Sequence, residues 1–375
     1  MTESQKSVLS LVCPGCGQAA AMQLHNWRCD RCGAAWLPVA DKNLDPEKIH
    51  PSSRDIWRYA DWMGMNLDNP VRLGAGGTPL IETRLNSRRV FIKAEYQNPS
   101  GSFKDRGVEA MVSALHQLGA SRVVEDSSGN AGASMAAYAA RAGLQAEIFA
   151  PETASAVKLA QIELYGAQVR RIPGPRENST RAVLEAVQGG AVYASHAWNP
   201  AYLLGQQTAA WEVWEQLGRR VPDWWVVPSG QGGHLLGTWL GFQRLLQSGL
   251  SERLPRMVVV QSEAVAPLAE AIQNQRLQIK PVLATKKTVA EGVVVTSPVR
   301  SKHILAEART HSWLGVTINE EDILPARQQL AHTGIFIEPT SALAVAALPM
   351  VYPHTRPHDI IVVSLTGSGL KVPII

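Results

Sequence analysis

A chain of 375 residues is long enough for two or three units, each with its own core. Hydrophobic residues make up 45% and charged ones 18%, which excludes a disordered chain and suits a globular enzyme. The net charge of +4 is not gathered into any Lys/Arg block, so it fits mild attraction to small anions better than nucleic-acid binding. No apolar run reaches the length of a membrane span; the longest, over 342–350, is interrupted by Pro349. The start, Thr2-Glu3-Ser4, lacks the apolar stretch of a secretory signal, so a cytoplasmic location is expected.

All four cysteines fall within residues 13–32, as Cys13-Pro-Gly-Cys16, twelve residues, then Cys29-Asp-Arg-Cys32. Two such knuckles place four thiolates where turns can close a tetrahedron, and their confinement argues against a disulfide framework. Cys13, Cys16, Cys29 and Cys32 are therefore candidate ligands of a structural zinc, with no open position for metal catalysis; free thiols or a redox pair are the alternatives. Trp27 and Trp36 flank the second knuckle and are expected to give this small module an apolar body of its own. Few basic residues accompany it, so no nucleic-acid partner is expected.

Residues 40–76 read as a connector with a helix expected over 56–65, followed by a tight glycine loop over 74–79. A strand over 89–95 then leads to Asn98-Pro-Ser-Gly-Ser-Phe-Lys104-Asp-Arg-Gly107. Val108, Met111, Val112, Leu115 and Leu118 recur at helical spacing, which puts Lys104 in a first turn with Ser100 or Ser102 as the candidate cap. A lysine facing the positive end of a helix dipole is disfavoured as a surface charge. It suits an amine that must lose its proton and attack a carbonyl.

A strand over 122–125 runs into Asp126-Ser-Ser-Gly-Asn-Ala-Gly132 and an alanine-rich helix over 133–142. Strand, polar glycine turn and helix start together offer donors to an anion. A substrate carboxylate at Ser127, Ser128 and Gly129 is one reading of this turn, and a plain capped turn is the other. Asn130 adds both a donor and an acceptor. Strands over 145–150 and 167–172 around a helix over 153–165 continue the β-α-β rhythm of a parallel sheet. A helix over 206–217 and a strand over 224–228 precede Ser229-Gly-Gln-Gly-Gly-His234 and a helix over 235–246. This second loop is the better phosphate cradle, since glycines let the backbone approach closely. Further along come a strand over 256–261, a helix opened by Glu338-Pro-Thr-Ser-Ala342, and an apolar strand over 359–365. The last strand ends at Thr366, a hydroxyl at a strand tip and so placed to meet a ligand.

Taken together, Asn98–Gly107, Ser127–Ala131, Glu338–Ala342 and Leu365–Lys371 resemble the fold-type-II pyridoxal phosphate enzymes, the tryptophan-synthase-β family, from about residue 70 onward. Within it, the likeness is greatest to threonine synthases, some of which carry a cysteine ribbon ahead of the catalytic body. The resemblance implies a two-lobed α/β fold with mainly parallel sheets. It places a zinc ribbon at 1–40, a large cofactor domain at 41–104 with 201–375, a small mobile domain at 105–200, and a homodimeric assembly. It also implies pyridoxal 5'-phosphate on Lys104 and Phe103 packed beside it, with Asn130 on the ring hydroxyl. Gly230, Gln231, Gly232, Gly233 and His234 would hold the phosphate, and Thr366 the pyridine nitrogen.

One position departs from that pattern. Many threonine synthases carry an arginine shortly after an Asn-Pro pair to meet the substrate phosphate; here Asn199-Pro200 is followed by Tyr202. His196, Arg176 and Lys158 are the candidate replacements. The leading expectation is threonine-synthase-like elimination and hydration of O-phosphohomoserine. The alternatives are a β-eliminase or β-replacement enzyme (a serine/threonine or diaminopropionate ammonia-lyase, or a cysteine-type synthase) and, in a different class, a non-catalytic binding protein acting through its ribbon.

Overall fold

Three short antiparallel strands open the chain, β1 (Ser10–Val12), β2 (Ala19–Ala21) and β3 (Leu37–Pro38), in the order β2-β1-β3. The structure, a computed structural model, describes residues 7–39, 43–154, 156–280, 282 and 286–372. The Thr2–Ser4 start, the boundary at 40/41 and residue 155 of the expected helix over 153–165 lie outside these. Both cysteine knuckles are built alike. The Gly17 amide donates to the Cys13 carbonyl at 2.9 Å and the Gly33 amide to that of Cys29 at 2.7 Å. Both glycines have φ of 73°, where any side chain would be strained.

The helix expected over 56–65 is shorter: a 3-10 turn (Ile56–Tyr59) runs into one turn, α1 (Ala60–Met63), stopped by Gly64 in a left-handed cap. Tryptophans fix this segment, Trp57 donating its indole N–H to Val71 O (3.2 Å) and Trp62 to Asp45 O (2.8 Å). Residues 71–75 then lie along helix α2 (Lys104–Gln117). The Val71 amide donates to Ser113 Oγ at 2.9 Å, and those of Leu73 and Ala75 to Glu109 Oε2 at 3.1 and 3.2 Å. The compact units divide the chain elsewhere than at the expected domain boundaries. They are Met1–Gly76 with Lys104–Gly205, and Gly77–Phe103 with Gln206–Ile375. Of the stretch expected to join the large domain, the described residues 43–76 pack with the unit that begins at Lys104.

The hairpin β4 (Leu80–Leu85) and β5 (Arg88–Lys93) turns through Asn86 and Ser87, both at positive φ as such tight turns require. In the unit that starts at Lys104, β6 (Arg122–Glu125), β7 (Gln145–Pro151), β8 (Gln168–Ile172) and β9 (Val192–Tyr193) form a wholly parallel sheet ordered β8-β7-β6-β9. Its crossovers are α3 (Asn130–Ala142), α4 (Ala156–Leu164) and α5 (Arg176–Gln188), followed by α6 (Pro200–Gln216).

The other unit is built on β10 (Trp224–Pro228), β11 (Arg256–Ser262), β12 (Leu314–Ile318) and β13 (Ile361–Ser364), ordered β12-β11-β10-β13-β5-β4. Every pairing is parallel except that of β4 with β5. The strands are nearly all apolar because helices cover them. Val226, Val258, Val260 and Val363 pack with Leu343 and Leu348 of α11 (Pro339–Ala346) and α12 (Leu348–Val351). Here α7 (Gly233–Gln247), α8 (Pro267–Gln273), α9 (Ser301–Thr310) and α10 (Glu320–Ala331) complete the helices. The expected α/β class with mainly parallel sheets and a cysteine module is what the structure shows.

Candidate active site

The second glycine loop starts where β10 ends and terminates at α7. Gly232 caps α7 with φ of 79°, and a Cβ there would lie 2.4 Å from Ile304 Cδ1. A Cβ on Gly230 would meet the Gly292 carbonyl at 2.9 Å. Both positions therefore demand glycine, and the bend presents bare backbone at a helix start. Ser229 Oγ, at its entrance, is buried with no hydrogen-bond partner among the described residues. Gln231 Oε1 accepts from the Val299 amide at 3.2 Å.

His234 differs from its expected part. Its imidazole is buried, with Nδ1 2.7 Å from Gln206 Oε1 and Nε2 2.8 Å from Ser364 Oγ. With both ring nitrogens occupied, the side chain braces α7, and its backbone amide is what it can offer an anion. Its ring also lies 4.8 Å from that of Phe103. Phe103 is held at both backbone ends, its amide donating to Thr366 O (2.9 Å) and its carbonyl accepting from Gln206 Nε2 (3.0 Å). Thr366 is buried with Oγ1 3.1 Å from Ser341 Oγ, and Ser341 Oγ accepts from the Gly367 amide at 2.8 Å. Phe103, the glycine loop, His234 and Thr366 are thus one connected constellation. Gln206, Ser341 and Ser364, which the sequence reading did not single out, tie it together.

Lys104 is the next residue after Phe103 and the first of α2. Of the two expected serine caps, Ser102 does not serve: its Oγ is buried with no hydrogen-bond partner among the described residues, and Ser102 instead forms a bridge with Gly367. Lys104 Nζ lies over the Tyr202 ring, 5.9 Å from its centroid. Glycines let α6 lie close against α2: a Cβ on Gly107 would be 2.3 Å from Tyr202 Cδ2, and one on Gly205 would be 1.9 Å from Arg106 O. Tyr202 is wholly buried in this contact.

In the same unit, Ser127, Ser128 and Gly129 form the turn from β6 into α3, which begins at Asn130. Gly132 lets the turn fold back on the helix, since a Cβ there would stand 1.9 Å from Ser127 O. Just before the turn, Glu125 is fully buried and engages one residue twice. The His196 amide donates to Oε2 at 3.1 Å, and His196 Nδ1 lies 3.0 Å from Oε1. Burial, reinforced by Asp126, pushes the Glu125 carboxyl well up. Burial also drives His196 well below the usual histidine range, helped by the cations Lys104 and Arg176. His196 is thus a neutral group, unsuited to replace a fixed cation. Arg176, exposed at the start of α5, keeps that possibility, as does the half-buried Lys158.

The four cysteine Sγ atoms all lie within 4.8 Å of one another, Cys13 and Cys32 at 3.3 Å and Cys16 and Cys29 at 3.7 Å. Tetrahedral zinc with bonds of about 2.3 Å sets sulfurs about 3.8 Å apart, so the cluster has the right size. Trp36 is buried. Trp27 is not part of a private core: it packs edge-on against Tyr193 at 5.3 Å and Trp198 at 4.9 Å.

Comparison with known proteins places these features in a family. Residues 71–367 match the family described as "Pyridoxal-phosphate dependent enzyme". The threonine synthase of Methanocaldococcus jannaschii is 32% identical over 378 residues, covering 96% of this chain and 92% of that protein. That of Synechocystis sp. is 34% identical over 336 residues, covering 86% and 85%. Among solved structures, the threonine deaminase of T.th. superposes with a TM-score of 0.66 at 28% identity, over 78% of this chain and 92% of that one. Maize serine racemase, at 23% identity and a TM-score of 0.67, shares the fold over 78% of this chain and 88% of its own. With four-fifths of its length matched by one family and near-full-length relatives above 30% identity, this chain belongs to the pyridoxal-phosphate dependent enzymes.

Proposed function

We propose that the protein is a threonine-synthase-like lyase that converts O-phosphohomoserine to threonine and phosphate. The observation that carries this reading is the run of threonine synthases at 31–34% identity over most of the chain. Pyridoxal phosphate fits the residues present: a glycine bend that any Cβ would fill, an unsatisfied Ser229 hydroxyl beside it, and a lysine one residue beyond Phe103. When bound, the cofactor supplies an electron sink for charge developing next to the amino group of the substrate.

In this reading the Lys104 amine holds the cofactor and moves the substrate's protons, while Gly230 to Gly233 and the His234 amide hold the phosphate. Phe103 packs on the ring and Asn130 bonds its hydroxyl. The turn Ser127 to Gly129 receives the substrate carboxylate. Thr366, paired with Ser341, gives the pyridine nitrogen a neutral partner where a carboxylate would keep it protonated. A weaker sink suits prompt expulsion of a leaving group over transamination. Arg176, which with Lys104 depresses His196, supplies positive charge for a dianionic substrate in place of the arginine that Tyr202 displaces.

Phosphate release from O-phosphohomoserine, abolished in Lys104→Ala, tests the proposal; a holoenzyme that releases none refutes it. Tyr202 and the likeness to a threonine deaminase favour a second reading, β-elimination from threonine, serine or diaminopropionate, which ammonia release would reveal. Zinc in the Cys13, Cys16, Cys29 and Cys32 cluster is part of the proposal. One equivalent by elemental analysis, lost in Cys13→Ser/Cys32→Ser, is the expected result. A cytoplasmic homodimer completes it, with light scattering as the check on assembly. Among the described residues no helix is long and apolar enough to cross a membrane.

A further inference from the structure

Trp27 lies two residues before Cys29 and touches both ends of one short segment. It meets Tyr193 at 5.3 Å and 83°, and Trp198 at 4.9 Å and 88°. Between those contacts sits His196, whose amide and ring both engage Glu125, the last residue of β6. Tyr193 pairs with Val124 of β6 in the sheet, and its hydroxyl donates to Asp126 Oδ1 at 2.9 Å. Thr180 holds the other Asp126 oxygen at 2.8 Å. The Trp198 amide closes the segment on Ser195 O at 3.2 Å. Residues 125 and 126 are thus gripped from the segment that Trp27 spans, and the turn Ser127 to Gly129 starts at the next residue.

A module that only recruited a partner would have no use for these contacts. Trp27 packs with the apolar cluster of Val124, Phe149 and Val183, on the same sheet that carries the turn. Edge-to-face ring pairs add directional attraction beyond the area they bury, so two of them at right angles define a position for the segment. The second knuckle follows Trp27 directly, its turn closed by the Cys29 amide on Ala34 O and the Gly33 amide on Cys29 O.

We propose that the cysteine ribbon is a brace for the substrate-binding turn and that Trp27 is its positioning residue, acting through Tyr193 and Trp198 on Asp126 and Glu125. The inference rests on the reading that Ser127 to Gly129 hold the substrate carboxylate. It predicts a defect in substrate affinity. The cofactor phosphate loop belongs to the other compact unit, so cofactor content should hold.

The test titrates holoenzyme with norvaline, an amino acid without a leaving group, following the cofactor's visible absorbance, alongside steady-state kinetics. Trp27→Ala should weaken norvaline binding and raise KM about tenfold, with kcat within about twofold and metal and cofactor content unchanged. Trp27→Phe should restore most of the affinity. Tyr193→Phe, which keeps the ring and removes only the bond to Asp126, should weaken binding about fivefold, and the Trp27→Ala/Tyr193→Phe double variant should be less than multiplicative. Stripping the metal with a chelator should mimic Trp27→Ala in the wild type and add little to that variant. Unchanged norvaline binding in Trp27→Ala and Tyr193→Phe overturns the brace. So does a Trp27→Ala protein that loses metal and kcat together while Tyr193→Phe is normal. Ser127→Ala separates the two layers. If it leaves norvaline binding intact, the turn reading fails; if it weakens binding while the Trp27 and Tyr193 variants do not, the brace alone fails.

Discussion

The carboxyl of Glu109 makes a quantitative prediction about the unit that carries Lys104. Burial pushes it up from 4.5 to about 7, with Asp55 adding repulsion, while the amides of Leu73 and Ala75 oppose the shift by donating to it. The folded protein therefore keeps a proton on Glu109 between pH 4.5 and about 7 that the unfolded chain releases. Stability from this group is fully present below 4.5 and is lost as pH rises through about 7. A difference from 4.5 to about 7, at about 1.4 kcal/mol per pH unit, is worth about 3 kcal/mol. Glu109→Gln keeps an oxygen for the two amides but cannot ionise. Its stability relative to wild type should therefore grow by about 3 kcal/mol between pH 4.5 and about pH 8. Urea unfolding of both holoproteins across that range, with matched m-values, measures the difference. A difference that stays flat with pH refutes the argument. One that falls with rising pH refutes its sign.

Three further outcomes follow from particular contacts. Gly232→Ala places a Cβ 2.4 Å from Ile304 Cδ1 at φ of 79°, so cofactor affinity by absorbance titration should fall at least about tenfold. Gly107→Ala would ordinarily favour a helix by about 1 kcal/mol. Its Cβ would stand 2.3 Å from a buried Tyr202 ring, and overpacking of about 1–3 kcal/mol should win, lowering the melting temperature by several degrees. Arg176→Ala should raise KM for O-phosphohomoserine at least about fivefold while leaving norvaline binding within about twofold, because only the phosphoester needs the extra charge.

Local features made much of this fold legible. The cysteine spacing, the Val-rich parallel strands and the two glycine turns each depend on residues within one short stretch, and each appears where expected. The company kept by residues 71–75 was not legible because their anchors are distant: Val71 meets Ser113, and Leu73 and Ala75 meet Glu109. Helix α10 stayed hidden because Pro325 interrupts its pattern, although Ile323, Ala326 and Leu330 bury one face. In the candidate site, Lys104, the glycine loop and Thr366 were visible as motifs. Their supports were not, since Gln206 reaches His234, and His234 reaches Ser364, only after folding. Nor does periodicity show that Trp27, beside the second knuckle, is committed to Tyr193 and Trp198.

These distant contacts bear on how Lys104 is held. A four-carbon stem leaves an amine loose, so accuracy must come from fixing the backbone at its root. Here Gly107 and Gly205 let α2 and α6 meet backbone to backbone one turn beyond Lys104, with Tyr202 filling the gap. Glu109, half a turn further on, ties the chain at 73–75 to the same helix. A close glycine crossing and a buried carboxyl, neither of them chemically active, thus fix the same short length of α2. A substitution at Gly107 or Glu109 should therefore shift the amine's starting point and change kcat without touching substrate, whereas the cysteine ribbon acts at the other end of the reaction, on what the substrate meets.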